Sequence, residues 1–366
     1  MLIGLPREIK DGERRVALTP DAVGVLRAKG HVVRVHTGAG SGAGFADADY
    51  VAVGASIVSN AAAAFDVDLV VKVKEIQTGE WGHLHADRTL FSFLHLGSDH
   101  IMADELLARR VTGIAFETVE DASRRLAILG PMSAVAGRMA VTLGSNLLMT
   151  SNGGRGVAIG DARVVIVGAG NAGAAAAATA LALGADVTVL APVGQRLALL
   201  AHKLGSSART IAINPEALTV ALEGADLVIG AVNIPGAATP KLITRSHLRS
   251  MGEGAVLIEI CIDGGGISDT ARATSHAQPT YVEEGVTHYC VTNMPAAVPR
   301  SASIAMSNAV LPYVVALADK GLTQALRDDA GLAAGLHMHG GHITHAAVAK
   351  ALGLPCLDLD AILFSC

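Results

Sequence analysis

Residues 164–173 read VVIVGAGNAG, a β-branched run that breaks on Gly168, Gly170 and Gly173 and passes straight into the alanine-rich AAAAATALALGA. A short apolar run of this kind is a buried strand, and a strand that turns on three spaced glycines into a helix is the phosphate-binding βα unit of a nicotinamide dinucleotide domain. The glycines have separate tasks. Gly168 permits the tight turn, Gly170 lets backbone approach the pyrophosphate, and Gly173 lets helix and strand pack closely, while Asn171 and Ala172 open the helix whose amides face the phosphates. Val164 to Ala185 is also uncharged and, at about 20 residues, long enough to imitate a membrane span. The glycines and Asn171 interrupt it, and few aromatics are present to form an interfacial belt, so strand followed by helix is the reading.

The unit normally ends with a carboxylate at the tip of the next strand, where it accepts hydrogen bonds from the adenosine ribose. In ADVTVLAPVGQRL that place is held by Ala191. Five residues on, Arg196 offers a guanidinium able to pair with a 2′-phosphate, and Gln195 a further hydrogen bond. Two readings stand. Either NADPH is accepted, alone or beside NADH, or Arg196 is a solvated loop arginine and NADH binds with one contact fewer, a loss of about 1 kcal/mol.

Around this unit the chain alternates strands and helices. LIGLP, HVVRVH, DLVVKVKE, TLFSFLHL and TGIAFETV precede it, with TPDAVGVLRAKG a helix whose N-cap is Thr19, first-turn proline Pro20 and stop Gly30. A long amphipathic segment from MSAVAGRMA leads into RVVIVG, DVTVL, DLVIGAV, AVLIEICI and HYCVTN, and the segments past Pro299 read as mostly helical, with no new sheet to join. With 366 residues, enough for two cores, this implies an α/β chain of two domains, each with a largely parallel sheet. A doubly wound dinucleotide domain at 129–299 is inserted into a discontinuous substrate domain at 1–128 and 300–366, with the site expected in the cleft between them. A net charge of −5 gives no broad basic surface for nucleic acid. Four cysteines without a CxxC pair fit a reducing cytosol, and MLIGLPREIK has no signal-peptide pattern, so a cytoplasmic protein without a membrane partner is expected.

PREIKDGERRVALTP, VKVKE, FLHLG, PMSAVAGRMA, the glycine loop, DLVIGAV, IDGGG and VTNMPAAVP fall in the order and spacing of alanine dehydrogenase, and the chain resembles that family along essentially its whole length. The resemblance implies reversible oxidative deamination of L-alanine to pyruvate and ammonium, with hydride transfer to NAD(P)+, by a homohexamer without a catalytic metal. It implies that Arg15 clamps the substrate carboxylate and that Lys74 contacts carboxylate and carbonyl oxygen. By strand alternation Lys72 shares a face with Lys74, so periodicity does not choose between them. His95, at the end of an apolar run, reads by itself as a core histidine; the resemblance makes it the general acid and base. Asp263 reads by itself as a turn or capping aspartate before GGG; the resemblance makes it the second catalytic residue.

The resemblance also places Met132 and Asn293 at the substrate and Ser133 beside the nicotinamide. Val232 and Asn233 follow the fourth strand of the dinucleotide domain, Ile260, Cys261 and Ile262 precede Asp263, and Arg272, Val291, Thr292 and Met294 complete the cofactor site. Ala191 is the departure from the family pattern and leaves open NAD or NADP. A second peculiarity is GLHMHGGHITH, whose His337, His339, His342 and His345 have spacings that suit Zn²⁺ or Ni²⁺. No acid or cysteine accompanies them, and a histidine-rich surface over a turn and helix start is the expectation. Other functions remain in view: a dehydrogenase for a related small amino acid, a transhydrogenase-like subunit, or a non-catalytic NAD(P)H sensor.

Overall fold

Two sheets carry the chain in the computed structural model, which describes residues 1–232 and 238–359. Asn233 lies outside the described residues, as does the chain from residue 360. The fold divides into two units, Met1–Met132 with Val298–Cys366, and Ser133–Ala297.

The first unit begins with β1 (Leu2–Leu5), β2 (Val32–His36), β3 (Ser56–Val58), β4 (Leu69–Val71), β5 (Thr89–Ser92) and β6 (Thr112–Ala115). These six pair in parallel, in the spatial order β3-β2-β1-β4-β5-β6. The chain winds outward from β1 to β3 and returns on the far side of β1 as β4. At such a reversal the connections leave on opposite faces, and a crevice opens beyond the carboxyl ends of β1 and β4. The strands β4 and β6 are buried along their whole length, as required of parallel strands covered on both faces.

Two sequence expectations change here. The run DLVVKVK is strand only as far as Val71, so Lys72 and Lys74 lie in the segment beyond it. The C-terminal segments are not all helical: β14 (Leu336–His339) and β15 (His342–Ile343) form a hairpin through Gly340 and Gly341, and β14 pairs antiparallel with β6. Both glycines have positive φ, +59° and +93°, which a two-residue hairpin turn needs. The hairpin covers an edge that β6 would otherwise leave open.

The helix Pro299–Lys320 is long and apolar enough to cross a membrane by length and composition, yet it packs within this unit. Its Ser303 and Ser307 hydroxyls accept the amides of Val16 and Thr19, each at 3.0 Å. Thr19 does precede the helix Pro20–Ala28 in extended conformation, but its hydroxyl lies 3.2 Å from that of Ser307 and makes no cap bond.

The second unit contains β7 (Arg163–Val167), β8 (Asp186–Ala191), β9 (Arg209–Ala212), β10 (Leu227–Gly230), β11 (Val256–Glu259), β12 (Thr280–Glu283) and β13 (Val286–Tyr289). Their order is β12-β13-β11-β10-β7-β8-β9, parallel except for β12. The reversal falls between β7 and β10. The uncharged stretch is thus β7 followed by the helix Asn171–Ala182.

Candidate functional site

The glycine loop follows β7 at the reversal. Gly168 has φ +123°, and a β-carbon there would stand 2.3 Å from the Ala231 carbonyl oxygen, while one on Gly173 would stand 1.9 Å from that of Gly168. Neither position admits a side chain. A β-carbon on Gly170 would meet nothing within 4 Å, so this glycine borders open space at the N-terminus of a 12-residue helix. The opening is a cradle suited to a pyrophosphate, with first-turn amides of Asn171, Ala172 and Gly173 as donors. Val232, just past β10, is half-buried near the loop floor. Ala191 is the last residue of β8 and is buried, whereas Gln195 and Arg196 open the next helix, Gln195–Leu204, and are exposed.

After β11 the chain passes Ile260, Cys261 and Ile262 to Asp263, on the short turn Ile262–Gly264. The capping expectation does not hold: no side chain caps this turn, and the exposed Asp263 carboxylate has no hydrogen bond among the described residues. The loop is instead held from below. Buried Glu259 accepts the amides of Ile267 and Ser268 at 3.1 and 2.9 Å and the Cys261 thiol at 3.3 Å. Lys241 donates to the carbonyls of Gly265, Gly266 and Ser268. Burial and the neighbouring Glu259 charge push the Cys261 thiol well up, which removes it as a nucleophile. Farther on, the Arg272 guanidinium stacks 3.6 Å from the Tyr281 ring centre. Val291 is bridged to Thr274 and buried, Thr292 is exposed, Asn293 takes φ +57°, and Met294 is buried. Ser133, the first residue of this unit, is half-buried.

In the first unit Arg15 is 3% exposed. Glu13 grips it twice, accepting Nε at 2.8 Å and Nη2 at 2.6 Å, and also takes the Arg15 amide at 2.9 Å. The guanidinium plane is thereby fixed, with Nη1 3.7 Å from Met132 Sδ. Lys74 is half-buried beyond β4, and Arg15, Lys10, Glu75 and Glu13 all act on its charge. Its pKa is held below the ordinary lysine value, chiefly by burial, with Lys10 and Arg15 adding to the effect. Lys72 is different in kind: fully buried, its ammonium lies 3.2 Å from Glu8 and 3.1 Å from Glu80. That ion network separates two lysines that strand alternation could not.

His95 follows β5 and, contrary to a core histidine, is exposed. Its backbone is left-handed, φ +47°, and its ring stacks on Phe93 with centres 6.0 Å apart. Glu117, which the sequence gave no reason to single out, accepts the amides of Leu94 and His95. The histidine-rich segment is not one surface. His337 is buried and bonded to Thr118 at 2.8 Å, His339 bonds Thr112, His342 is exposed, and the His345 ring packs tilted against that of His337. Among the described residues no group of three or more metal-ligating side chains converges.

The profile described as "Alanine dehydrogenase/PNT, N-terminal domain" matches residues 4–136, and "Alanine dehydrogenase/PNT, C-terminal domain" matches residues 140–346. The chain is 46% identical to alanine dehydrogenase of Halomonas elongata over 370 aligned residues, covering 99% of this chain and all of that one. It is 45% identical to alanine dehydrogenase 2 of Staphylococcus aureus at the same coverage. Among solved structures it is similar to an L-alanine dehydrogenase, with TM-score 0.92 and 42% identity over 96% of this chain and 99% of the other. A transhydrogenase from Sinorhizobium meliloti shares the fold, with TM-score 0.82 and 23% identity over 94% of this chain and all of that one.

Proposed function

Since this chain belongs to the alanine dehydrogenase/PNT family, we propose that it interconverts L-alanine, water and NAD(P)+ with pyruvate, ammonium and NAD(P)H. One observation carries the reading: Arg15, Lys74 and His95 follow β1, β4 and β5, three adjacent strands, beyond their carboxyl ends. That is the rim where a doubly wound sheet binds its ligand.

The nicotinamide, when bound, accepts or returns the hydride of the substrate Cα. The open backbone at Gly170 and the first-turn amides of the following helix hold its pyrophosphate. Arg15 takes the substrate carboxylate. Glu13 has already set the guanidinium plane, and a carboxylate is a far better acceptor for Nη1 than the Met132 thioether. Lys74 sits at the carbonyl oxygen, where its lowered pKa eases donation of a proton. In deamination, hydride departure leaves an imine, and His95 takes a proton from the water that adds to the imine carbon. The resulting carbinolamine loses ammonia, protonated as it leaves, and its hydroxyl becomes the pyruvate carbonyl. Family resemblance makes Asp263 the second catalytic residue, whose carboxylate favours positive charge on the imine. One proton is released to solvent for each alanine oxidised.

The finer reading is that NADPH is accepted alone or beside NADH, because Ala191 cannot repel a 2′-phosphate and exposed Arg196 can pair with one. We take residues 1–128 with 300–366 as the substrate domain and 129–299 as the dinucleotide domain. Family resemblance supports a homohexamer, and free thiols at Cys261, Cys290 and Cys356 suit a reducing cytoplasm. The test is reductive amination of pyruvate with ammonium, rates compared for NADH and NADPH. Turnover with neither removes alanine as the substrate and calls for a wider screen of 2-oxo acids, with a nucleotide sensor or transhydrogenase-like subunit left if none of them reacts. His95→Ala abolishes most turnover while nucleotide binding persists; full activity in that variant removes His95 from the chemistry.

A further inference from the structure

His95 stands in a conformation that its own β-carbon disfavours. At φ +47° it lies in the left-handed region, where an L side chain crowds the following carbonyl. The backbone is held there from the next strand. Glu117, two residues past β6, accepts the Leu94 amide on one carboxylate oxygen at 3.1 Å and the His95 amide on the other at 2.8 Å. Hydrogen bonds to an ionised carboxylate are the stronger class. The turn is closed on its far side by Ser98, whose amide and hydroxyl both donate to the His95 carbonyl, at 3.0 and 2.7 Å.

The neighbours of Glu117 leave its carboxylate to this task. His345, at the head of the helix Ala346–Leu352, is within range of the Glu117 charge. Its ring packs 4.4 Å from that of His337 on β14, and His337 is in turn within range of His95. Both rings keep a buried Nδ1 with no partner among the described residues. Burial keeps the two neutral, pushing His345 down and His337 down to about 3. A neutral imidazole makes little claim on a carboxylate. The other titratable groups near the turn are Asp99, which caps the next helix through the Met102 amide, and the exposed His100 and Lys350.

We propose that Glu117 is a positioning residue for His95, presenting the acid–base imidazole by anchoring the two backbone amides of its turn. The inference rests on the assignment of His95 as the acid–base group. A carboxylate is suited to the task because two converging N–H donors need two acceptor oxygens. A carboxamide supplies one and turns its own NH₂ toward the second amide.

Glu117→Gln, Glu117→Asp and His95→Ala are compared with the unaltered protein by steady-state kinetics of alanine oxidation across pH, alongside thermal melting. In Glu117→Gln, kcat falls by about tenfold or more while KM for alanine and nucleotide stays within about twofold, the pattern of an interaction expressed in the transition state. Glu117→Asp, which keeps both oxygens on a shorter stem, recovers part of the rate. A Glu117→Gln protein with normal kcat overturns the proposal. So does one that melts earlier yet keeps full kcat per folded molecule. If His95→Ala is itself fully active, the functional reading falls first; an inactive His95→Ala beside a normal Glu117→Gln overturns this inference alone.

Discussion

Replacing Lys72 and Lys74 in turn by methionine separates a structural charge from a substrate-facing one. Lys72→Met deletes an ammonium held 3.2 Å from Glu8 and 3.1 Å from Glu80, with all three side chains at most 4% exposed. Methionine fills the volume but leaves two buried carboxylates without their cation. Breaking a buried ion pair on one side costs about 3–5 kcal/mol. Glu8 also accepts the Val73 amide at 2.6 Å, so the segment leading to Lys74 loosens with it. Lys74→Met deletes a cation that burial already penalises, and its melting temperature stays the same or rises. Its loss appears in catalysis instead: a hydrogen bond to a charged group contributes about 1.5–3 kcal/mol, so kcat/KM for pyruvate falls roughly ten- to hundredfold. Melting curves and initial rates on the two purified variants decide the matter. A Lys74→Met protein that melts as early as Lys72→Met with unchanged kcat/KM would refute the division of labour.

Gly170→Ala, whose added carbon meets nothing within 4 Å, keeps its melting temperature but binds NAD(P)H about tenfold more weakly in a fluorescence titration, since backbone must approach phosphate there; unchanged affinity removes Gly170 from the site. Gly173→Ala, with its carbon 1.9 Å from the Gly168 carbonyl oxygen, loses about 1–3 kcal/mol of stability by overpacking, read as an earlier melt. As pH rises through the lowered pKa of Lys74 toward 10.5, the folded protein gives up a proton that the unfolded chain still holds. Stability therefore rises with pH across that window, while KM for pyruvate increases as the cation is lost; a KM flat up to 10.5 contradicts the role. Ala191→Asp shifts the NADH to NADPH rate ratio toward NADH, and an unmoved ratio means the ribose does not lie at the end of β8.

How much of this was legible depends on how local each constraint is. The three glycines could be read because their reasons are steric and lie within a few residues of one another, and a β-carbon on Gly170 would meet nothing within 4 Å. Arg15, Lys74, His95 and Asp263 were singled out by resemblance; taken alone, the two cations read as surface charges, His95 as a core histidine and Asp263 as a turn or capping aspartate. His95 ends an apolar run like a core histidine, yet the strand stops at Ser92 and a left-handed turn carries the ring outward. Lys72 and Lys74 could not be separated because Glu8 is 64 residues from its partner. The strands missed were β3, β9, β12, β14 and β15, two to four residues each, and four of the five are sheet edges. Edge strands are half-wet, so their apolar pattern is weak. LHMHGGHI read as a turn and helix start under a histidine-rich surface, yet its paired glycines turn a hairpin between two short strands.

The hydroxyls of Ser303 and Ser307 meet amides 287 and 288 residues earlier in the chain. One of those amides, Val16, directly follows Arg15. On a ribosome adding about 5–20 residues per second, roughly 15 s to a minute separates the two ends of each bond. During that interval residues 133–297, contiguous in sequence, are synthesised complete, while the first sheet waits with β6 as an open edge and its cation loop unsupported. The unit that carries the glycine loop is thus the earlier to mature, and a nascent chain stalled before Ser303 would hold that unit complete while the turn at Arg15 still lacked the hydroxyls that fix it.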